Sequence, residues 1–307
     1  MGVRRAVEIA SKEAAFTAKA VVTAKAVVTA KAVDAKKNNF RVYTLGPLVH
    51  NPKVLADLET LGIQSIDDSL FSACDSSAAV IIRAHGISPA VEKKLRDKGC
   101  RVVDATCPTV KKNQLKTREL IQDGYYLFLA GEKEHAEITG LLGYCEDAKQ
   151  RAQQQVFCEV VGGVQQAKDA ALKLFEKNKD VKTALLGQTT ISKEEYAAIG
   201  EEIIKYFPDL KIINTICTAA GERQNALREL LLKTDAVIVA GGKESANTRC
   251  LYEIAKQSGK PCVLAENAQE IPAEFLRYNT AGLCAGASTP DSVIDEIENF
   301  LVKSHFT

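Results

Sequence analysis

The 307-residue sequence has almost no imbalance of charge: 40 Lys and Arg stand against 39 Asp and Glu, a formal net charge of +1. It has no basic run beyond short pairs such as Lys36-Lys37. Non-specific binding to nucleic acid or a membrane surface therefore lacks electrostatic support, since both need clustered positive charge. No uncharged apolar stretch approaches the roughly 18 residues of a membrane span. No signal-peptide pattern is read, so a cytoplasmic location is the expectation. GxGxxG and Walker motifs, the loops that cradle dinucleotides and nucleoside triphosphates, are also missing. What remains is 46% hydrophobic and 26% charged, enough apolar material for one to three domains of about 100–200 residues each.

Nine cysteines are present: Cys74, Cys100, Cys107, Cys145, Cys158, Cys217, Cys250, Cys262 and Cys284. They are odd in number and scattered through apolar, strand-like runs. In a chain of this length without an export signal, that pattern predicts reduced, mostly buried thiols.

Short apolar runs ending in polar or glycine-rich turns recur along the chain: RVYTLGPLVHN, AAVIIRAHGIS, RVVDATCP, YYLFLAGEKEHAE, TALLGQTTIS, KIINTICT, DAVIVAGGKESANT and AGLCAGASTPD. Helical patterns separate them, at 89–99, 109–122, 164–177, 192–206, 221–233 and 248–258. Alternating strands and helices predict parallel sheets covered by helices, the α/β class. Such sheets bind ligands beyond the carboxyl ends of their strands. His50, His85 and His135 fall there, joined by Thr189, Ser245, Asn247 and Ser288; His305 lies in the C-terminal tail. A single histidine after a strand is commonly structural. Several such groups in equivalent positions suit an anion such as a phosphate.

Cys107 and Cys217 stand apart from the other seven. Each ends an apolar run (RVVDATC, KIINTIC) and precedes a helix, and each is followed at positions +11 to +13 by Arg-Glu-Leu. They read as two copies of one unit about 110 residues apart, a domain-sized repeat. A thiol at a helix N-terminus suits metal ligation or redox chemistry. Two buried strand-end cysteines with a coincidental tripeptide match are the alternative. The same frame accounts for the opening MGVRRAVEIASKEAAF, an amphipathic helix with nothing ahead of it. A cysteine placed immediately before Met1 would put that helix in register with the other two, so the repeat predicts a third strand–Cys–helix unit whose strand and cysteine are missing here.

These residues resemble the 4-hydroxy-3-methylbut-2-enyl diphosphate reductases, the last enzymes of the non-mevalonate isoprenoid pathway. The likeness runs through MGVRRAVEIA, LVHN, AHGIS, DATCP, EHAEITG, QTT, the Cys–ERQ segment 217–224, SANT and AGASTPD, in the family's order. It implies three similar α/β domains with parallel sheets around a central cluster and substrate cavity, here 1–106, 107–216 and 217–307. It also implies an oxidoreductase that removes an allylic hydroxyl with two electrons and protons, giving isopentenyl and dimethylallyl diphosphates. Cys107 and Cys217 fall on two of the three ligands of a 4Fe–4S cluster whose fourth iron has no protein ligand. His50, His85, His135, Thr189, Ser245, Ala246, Asn247 and Ser288 fall on positions that bind the substrate, mainly its diphosphate. Glu137 falls on the proton donor, with Thr189 on the proposed proton path; a solvated loop acid is the plainer reading of Glu137. Ferredoxin or flavodoxin is the implied electron donor, with no nucleic acid and no membrane as partner.

The departures are specific. The family's remaining ligand lies in a Gly-Phe-Cys segment just ahead of the residues matching Met1. Ala220 replaces a usual threonine, and Glu244 an expected asparagine beside the diphosphate positions. The repeat TAKAVV-TAKAVV-TAKAVD at 17–34 has a period that walks around a helix and has no counterpart in the family; it reads as a longer first helix or an insert without a catalytic role. A cluster-free diphosphate-binding relative, or an inactive remnant, is the alternative function.

Overall fold

The computed structural model describes residues 41–48, 51–66, 74–152 and 158–305. The opening helix, the hexad repeat at 17–34 and His50 lie outside the described residues.

Among the described residues, eleven strands form three sheets. The first sheet holds β1 (Arg41–Leu45), β2 (Ile63–Ile66), β3 (Ala78–Ile82) and β4 (Arg101–Asp104) in the order β2-β1-β3-β4. The second repeats that order with β5 (Tyr126–Ala130), β6 (Cys158–Val161), β7 (Thr183–Gly187) and β8 (Lys211–Ile212), as β6-β5-β7-β8. The third, with β9 (Ala236–Ala240), β10 (Cys262–Ala265) and β11 (Ala281–Ala285), runs β10-β9-β11. β1 pairs in parallel with β2 and β3, β3 with β4, β7 with β8, and β9 with β10 and β11. The expected α/β class with parallel sheets is what folds.

The helices are α1 (Pro52–Thr60), α2 (Pro89–Asp97), α3 (Pro108–Gln122), α4 (Ala136–Ala152), α5 (Val164–Lys177), α6 (Lys193–Ile204), α7 (Thr218–Lys233), α8 (Ala246–Gln257) and α9 (Asp291–His305). Ser88, Ser192 and Ser245 cap α2, α6 and α8, each side chain accepting an N–H three residues on, which satisfies a donor that the first turn leaves over. His305, read as part of a tail, is the last residue of α9.

Packing divides the described residues into two compact units, one within 1–49, 53–127 and 133–158, the other within 50–52, 128–132 and 159–307. In the first unit, period-2 alternation sends Val42 and Ile81 to one face with Leu48, Leu58 and Ile63, and Tyr43, Leu45 and Val80 to the other with Leu95, Cys74 and Cys100. In the second, Ile238 packs with Phe275, Val293 and Ile297 on one face of the third sheet, and Val237 and Val239 with Leu227, Leu231 and Leu251 on the opposite face. The inner strands are apolar without alternation because both faces are covered.

Two expectations change. KIINTIC forms only a two-residue strand, both residues exposed. Beyond it, side chains take over from the ladder: the Gly187 N–H donates to Thr215 Oγ1 at 2.8 Å, and the Tyr196 hydroxyl lies 2.9 and 2.6 Å from the carbonyls of Leu185 and Ile213. Secondly, Cys145 and Cys158 are joined in a disulfide, their Cα atoms 6.5 Å apart. α4 and the start of β6 bring them within bridging distance, a proximity their sequence neighbours do not announce. The other described cysteines are free thiols.

Candidate functional site

In a sheet ordered 2-1-3, the first and third strands leave in opposite directions, and the crevice beyond their carboxyl ends is where ligands bind. In this chain those ends carry Gly46 to Leu48 and Arg83 to Gly86 on the first sheet, Gly131 to His135 and Gln188 to Thr190 on the second, and Gly241 to Ser245 and Gly286 to Thr289 on the third.

In the first unit, His85 follows β3 and His135 immediately precedes α4, their rings meeting edge to face at 5.3 Å. His135 Nδ1 accepts the Glu137 N–H at 3.2 Å, and its carbonyl accepts the Thr139 N–H at 2.9 Å. An Nδ1 that accepts leaves the ring proton on Nε2, where the imidazole can donate to an anion. Glu137, in the first turn of α4, is 1% exposed, so the reading of a solvated loop acid is corrected: the chain turns into a helix and buries the side chain. α4 can approach the His85 loop because it carries glycines; a Cβ on Gly143 would lie 2.2 Å from Ser88 Cβ. Cys107 is the N-cap residue of α3, half-buried, its side chain unused in capping. Its N–H donates to the Ala84 carbonyl at 2.9 Å. Asp104 braces the approach to it, accepting the Thr106 N–H at 2.9 Å and Lys111 Nζ at 3.1 Å.

In the second unit, Cys217 repeats this arrangement. It is the half-buried N-cap residue of α7, and its N–H donates to the Thr189 carbonyl at 3.0 Å. Thr189 itself is buried. Gln188 beside it is clamped: Oε1 accepts the Glu132 N–H at 3.1 Å and Nε2 donates to Thr190 Oγ1 at 2.8 Å. Ser245, Asn247, Thr248 and Ser288 are all buried, and Asn247 Nδ2, Thr248 Oγ1 and Ser288 Oγ have no hydrogen-bond partner. Each such orphan costs about 1–3 kcal/mol; two stand in the first turn of α8 and the third in the loop after β11, an arrangement that suits a ligand supplying the partners. Ala246, at the first position of α8, brings no polar side-chain atom. Glu244 is exposed, and Ala220 is buried in α7.

Thr248 and Gln188 were not singled out in the sequence, although each sits inside a quoted motif (SANT, QTT). Room for Thr248 comes from glycine: a Cβ on Gly286 would lie 2.2 Å from Thr248 Oγ1. Gly286→Ala should therefore cost about 1–3 kcal/mol of stability through overpacking, read as a lower urea midpoint, and an unchanged midpoint would show that the loop relaxes freely.

A cavity of about 580 Å³ also lies in this unit, lined by Gln188, Thr190, Ala246, Arg249 and Cys250 among others. Arg249 pairs there with Glu132 at 2.6 Å. Burial, with Glu195 next in weight, pushes the Cys250 thiol up to about 11.

Iron–sulfur chemistry calls for thiolates held at polar loop–helix junctions. Cys107 and Cys217 fit that donor type. Cys74 and Cys100 do not: they lie in the core, and burial raises both thiols. Among the described residues no group of three or more His, Cys, Asp or Glu side chains stands ready to hold a metal ion.

Parallel sheets with buried polar groups, histidines and cysteines beyond their strand ends define an α/β protein whose polar groups gather at the strand ends. Its family follows from comparison. The model of the LytB protein family matches residues 23–302, and the chain belongs to that family. It is 39% identical over 271 residues to a 4-hydroxy-3-methylbut-2-enyl diphosphate reductase of Treponema denticola, covering 87% of this chain and 89% of that protein. The enzyme of the same name from Aquifex aeolicus is 36% identical over 265 residues, covering 86% of each. Among solved structures, the E-1-hydroxy-2-methyl-but-2-enyl-4-diphosphate reductase of Plasmodium falciparum superposes with a TM-score of 0.81 at 26% identity, over 100% of this chain and 86% of that one. A second, described as the terminal enzyme of the non-mevalonate pathway, superposes at 0.64 with 33% identity, over 99% and 95%.

Proposed function

We propose that this chain is an oxidoreductase that reductively removes the hydroxyl of 4-hydroxy-3-methylbut-2-enyl diphosphate, giving isopentenyl and dimethylallyl diphosphates. Family membership and relatives of that name over most of both chains support the reaction. The observation that carries the ligand is the trio of buried, unpartnered donors at Asn247, Thr248 and Ser288. In this reading they bind the diphosphate with Ser245 and the backbone at Ala246, and the family motif also assigns His50, His85 and His135 to the substrate. Neutral donors suit a polyanion in a closed site, because they stabilise it without bringing in counter-charges that must themselves be desolvated.

Cys107 and Cys217 would hold a 4Fe–4S cluster, which would relay the two electrons of the reduction, one at a time, from the electron donor. The family motif implies a third thiolate ligand. Glu137 would deliver the proton that lets hydroxide leave as water, since burial favours the carboxylic acid form of a side chain so placed. The family motif also assigns Thr189 to the proton path. The boundaries near 106 and 216 fall at the two strand–Cys–helix junctions. Ferredoxin or flavodoxin is the electron donor in this reading, and the cytoplasm is its place; among the described residues no helix is long and apolar enough to cross a membrane.

Calorimetric titration of the 307-residue chain with inorganic pyrophosphate tests the anion site. His85→Ala should lose most of the affinity, at least about tenfold, as expected for a hydrogen bond to a charged group. Unchanged binding would remove His85 from the site.

A further inference from the structure

The two cysteine helices share one more feature. Seven residues after each cysteine stands a glutamine, Gln114 after Cys107 and Gln224 after Cys217, so the repeat reads Cys-x6-Gln in both copies. Both side chains are 1% exposed. A buried amide is costly unless all of its hydrogen bonds are made, yet each keeps an unpartnered atom: Nε2 of Gln114 and Oε1 of Gln224.

Their surroundings match as well. Gln114 Nε2 fills the space beside the residue following His85: a Cβ on Gly86, whose φ is +73°, would lie 2.2 Å from it. A Cβ on Gly140 of α4 would lie 3.4 Å from the same atom and 3.8 Å from the His85 carbonyl oxygen. Gln224 Nε2 donates to the Ile191 carbonyl at 3.3 Å, two residues beyond Thr189, and lies 3.6 Å from Cys250 Sγ. Each cysteine helix thus meets the loop after the third strand of the preceding sheet at two levels. The cysteine N–H holds the loop at its start, through Ala84 in one copy and Thr189 in the other. The glutamine amide supports the same loop two turns further along the helix.

We infer that Gln114 and Gln224 are positioning residues, each setting its substrate loop, and so His85 or Thr189, relative to the cysteine helix on which it stands. The inference rests on the anion site proposed above. An amide at this place gives direction where a leucine would give only volume. It supplies donors and an acceptor on a rigid helix, whereas the loop it supports is short and, in the first copy, carries Gly86 at a positive φ.

The test uses Gln114→Leu and Gln224→Leu in the 307-residue chain, with inorganic pyrophosphate as the probe. Gln114→Leu removes a buried, unsatisfied amide nitrogen in favour of an apolar side chain of similar size, so its unfolding midpoint should hold or rise, whereas Gln224→Leu leaves the Ile191 carbonyl without its donor and should lower the midpoint modestly. Pyrophosphate affinity should fall about tenfold in Gln114→Leu and by less than about twofold when the same change is made in His85→Ala, because coupled residues are not additive. In the free protein, the His85 imidazole resonances should shift in Gln114→Leu and stay in place in Gln224→Leu, which should instead shift the Thr189 and Ile191 amides. Wild-type affinity with unmoved His85 resonances would overturn the inference, as would an equal loss in the His85→Ala background. Should Gln114→Leu fail to fold, Gln114→Met carries the same comparison. If His85→Ala itself binds pyrophosphate as wild type does, the anion site is wrongly assigned, and the imidazole shift alone then decides the role of Gln114.

Discussion

Glu137→Gln, in a cluster-loaded form of the protein, should fold, bind substrate and turn over at least about 100-fold more slowly, the usual contribution of a positioned acid. The substitution is close to isosteric and leaves the backbone N–H that His135 Nδ1 accepts, so the imidazole keeps its tautomer. What it removes is the transferable proton. Two influences act on that carboxyl. Burial at 1% exposure favours the neutral acid, while the N-terminus of α4 favours the carboxylate. Single-turnover assays with a chemical reductant separate this step from electron delivery. Near-normal turnover would move the proton to another group, with Thr189 the first to examine.

The second large effect concerns the cluster. After anaerobic reconstitution, Cys107→Ser and Cys217→Ser should each lose most of the iron that the unsubstituted protein holds. Iron and sulfide analysis with the charge-transfer absorbance reads all three forms. The physical reason is ligand number: retention depends on protein thiolates, and each thiolate removed leaves one more iron to water or external thiols. The structure narrows the substitutes within the chain. Cys74 and Cys100 face each other in the core of the first sheet, Cys145 and Cys158 are bonded to one another, and burial raises the Cys284 thiol on β11 against the α7 and α8 face. A full, stable cluster in either variant would refute the assignment and turn attention to Cys250 and Cys262.

Much of the architecture was legible because it follows from short-range chemistry. Runs such as AAVII and AVIVA are strands by composition and lie between helices by alternation, and parallel pairing follows from the crossover each helix makes. The elements that escaped have weaker signals. β2, β6 and β10 are four-residue strands at sheet edges, where partial exposure dilutes the apolar pattern. α4, with two glycines and its catalytic candidate in the first turn, reads as loop. At the site, order along the chain revealed which loops carry polar groups, but not which of those groups are paired.

By itself, then, the sequence determined the α/β class, the LytB family and the motif positions, since these depend on residue type and order. Tertiary structure alone decided that Glu137 is buried, that His135 Nδ1 accepts the Glu137 N–H, that Cys145 and Cys158 meet, and that Gln114 and Gln224 lie under the loops bearing His85 and Thr189. Each of those facts rests on a distance of a few ångströms between segments remote in sequence, or on a local helix start that glycines disguise. Residue order does not encode such distances until packing brings the segments together.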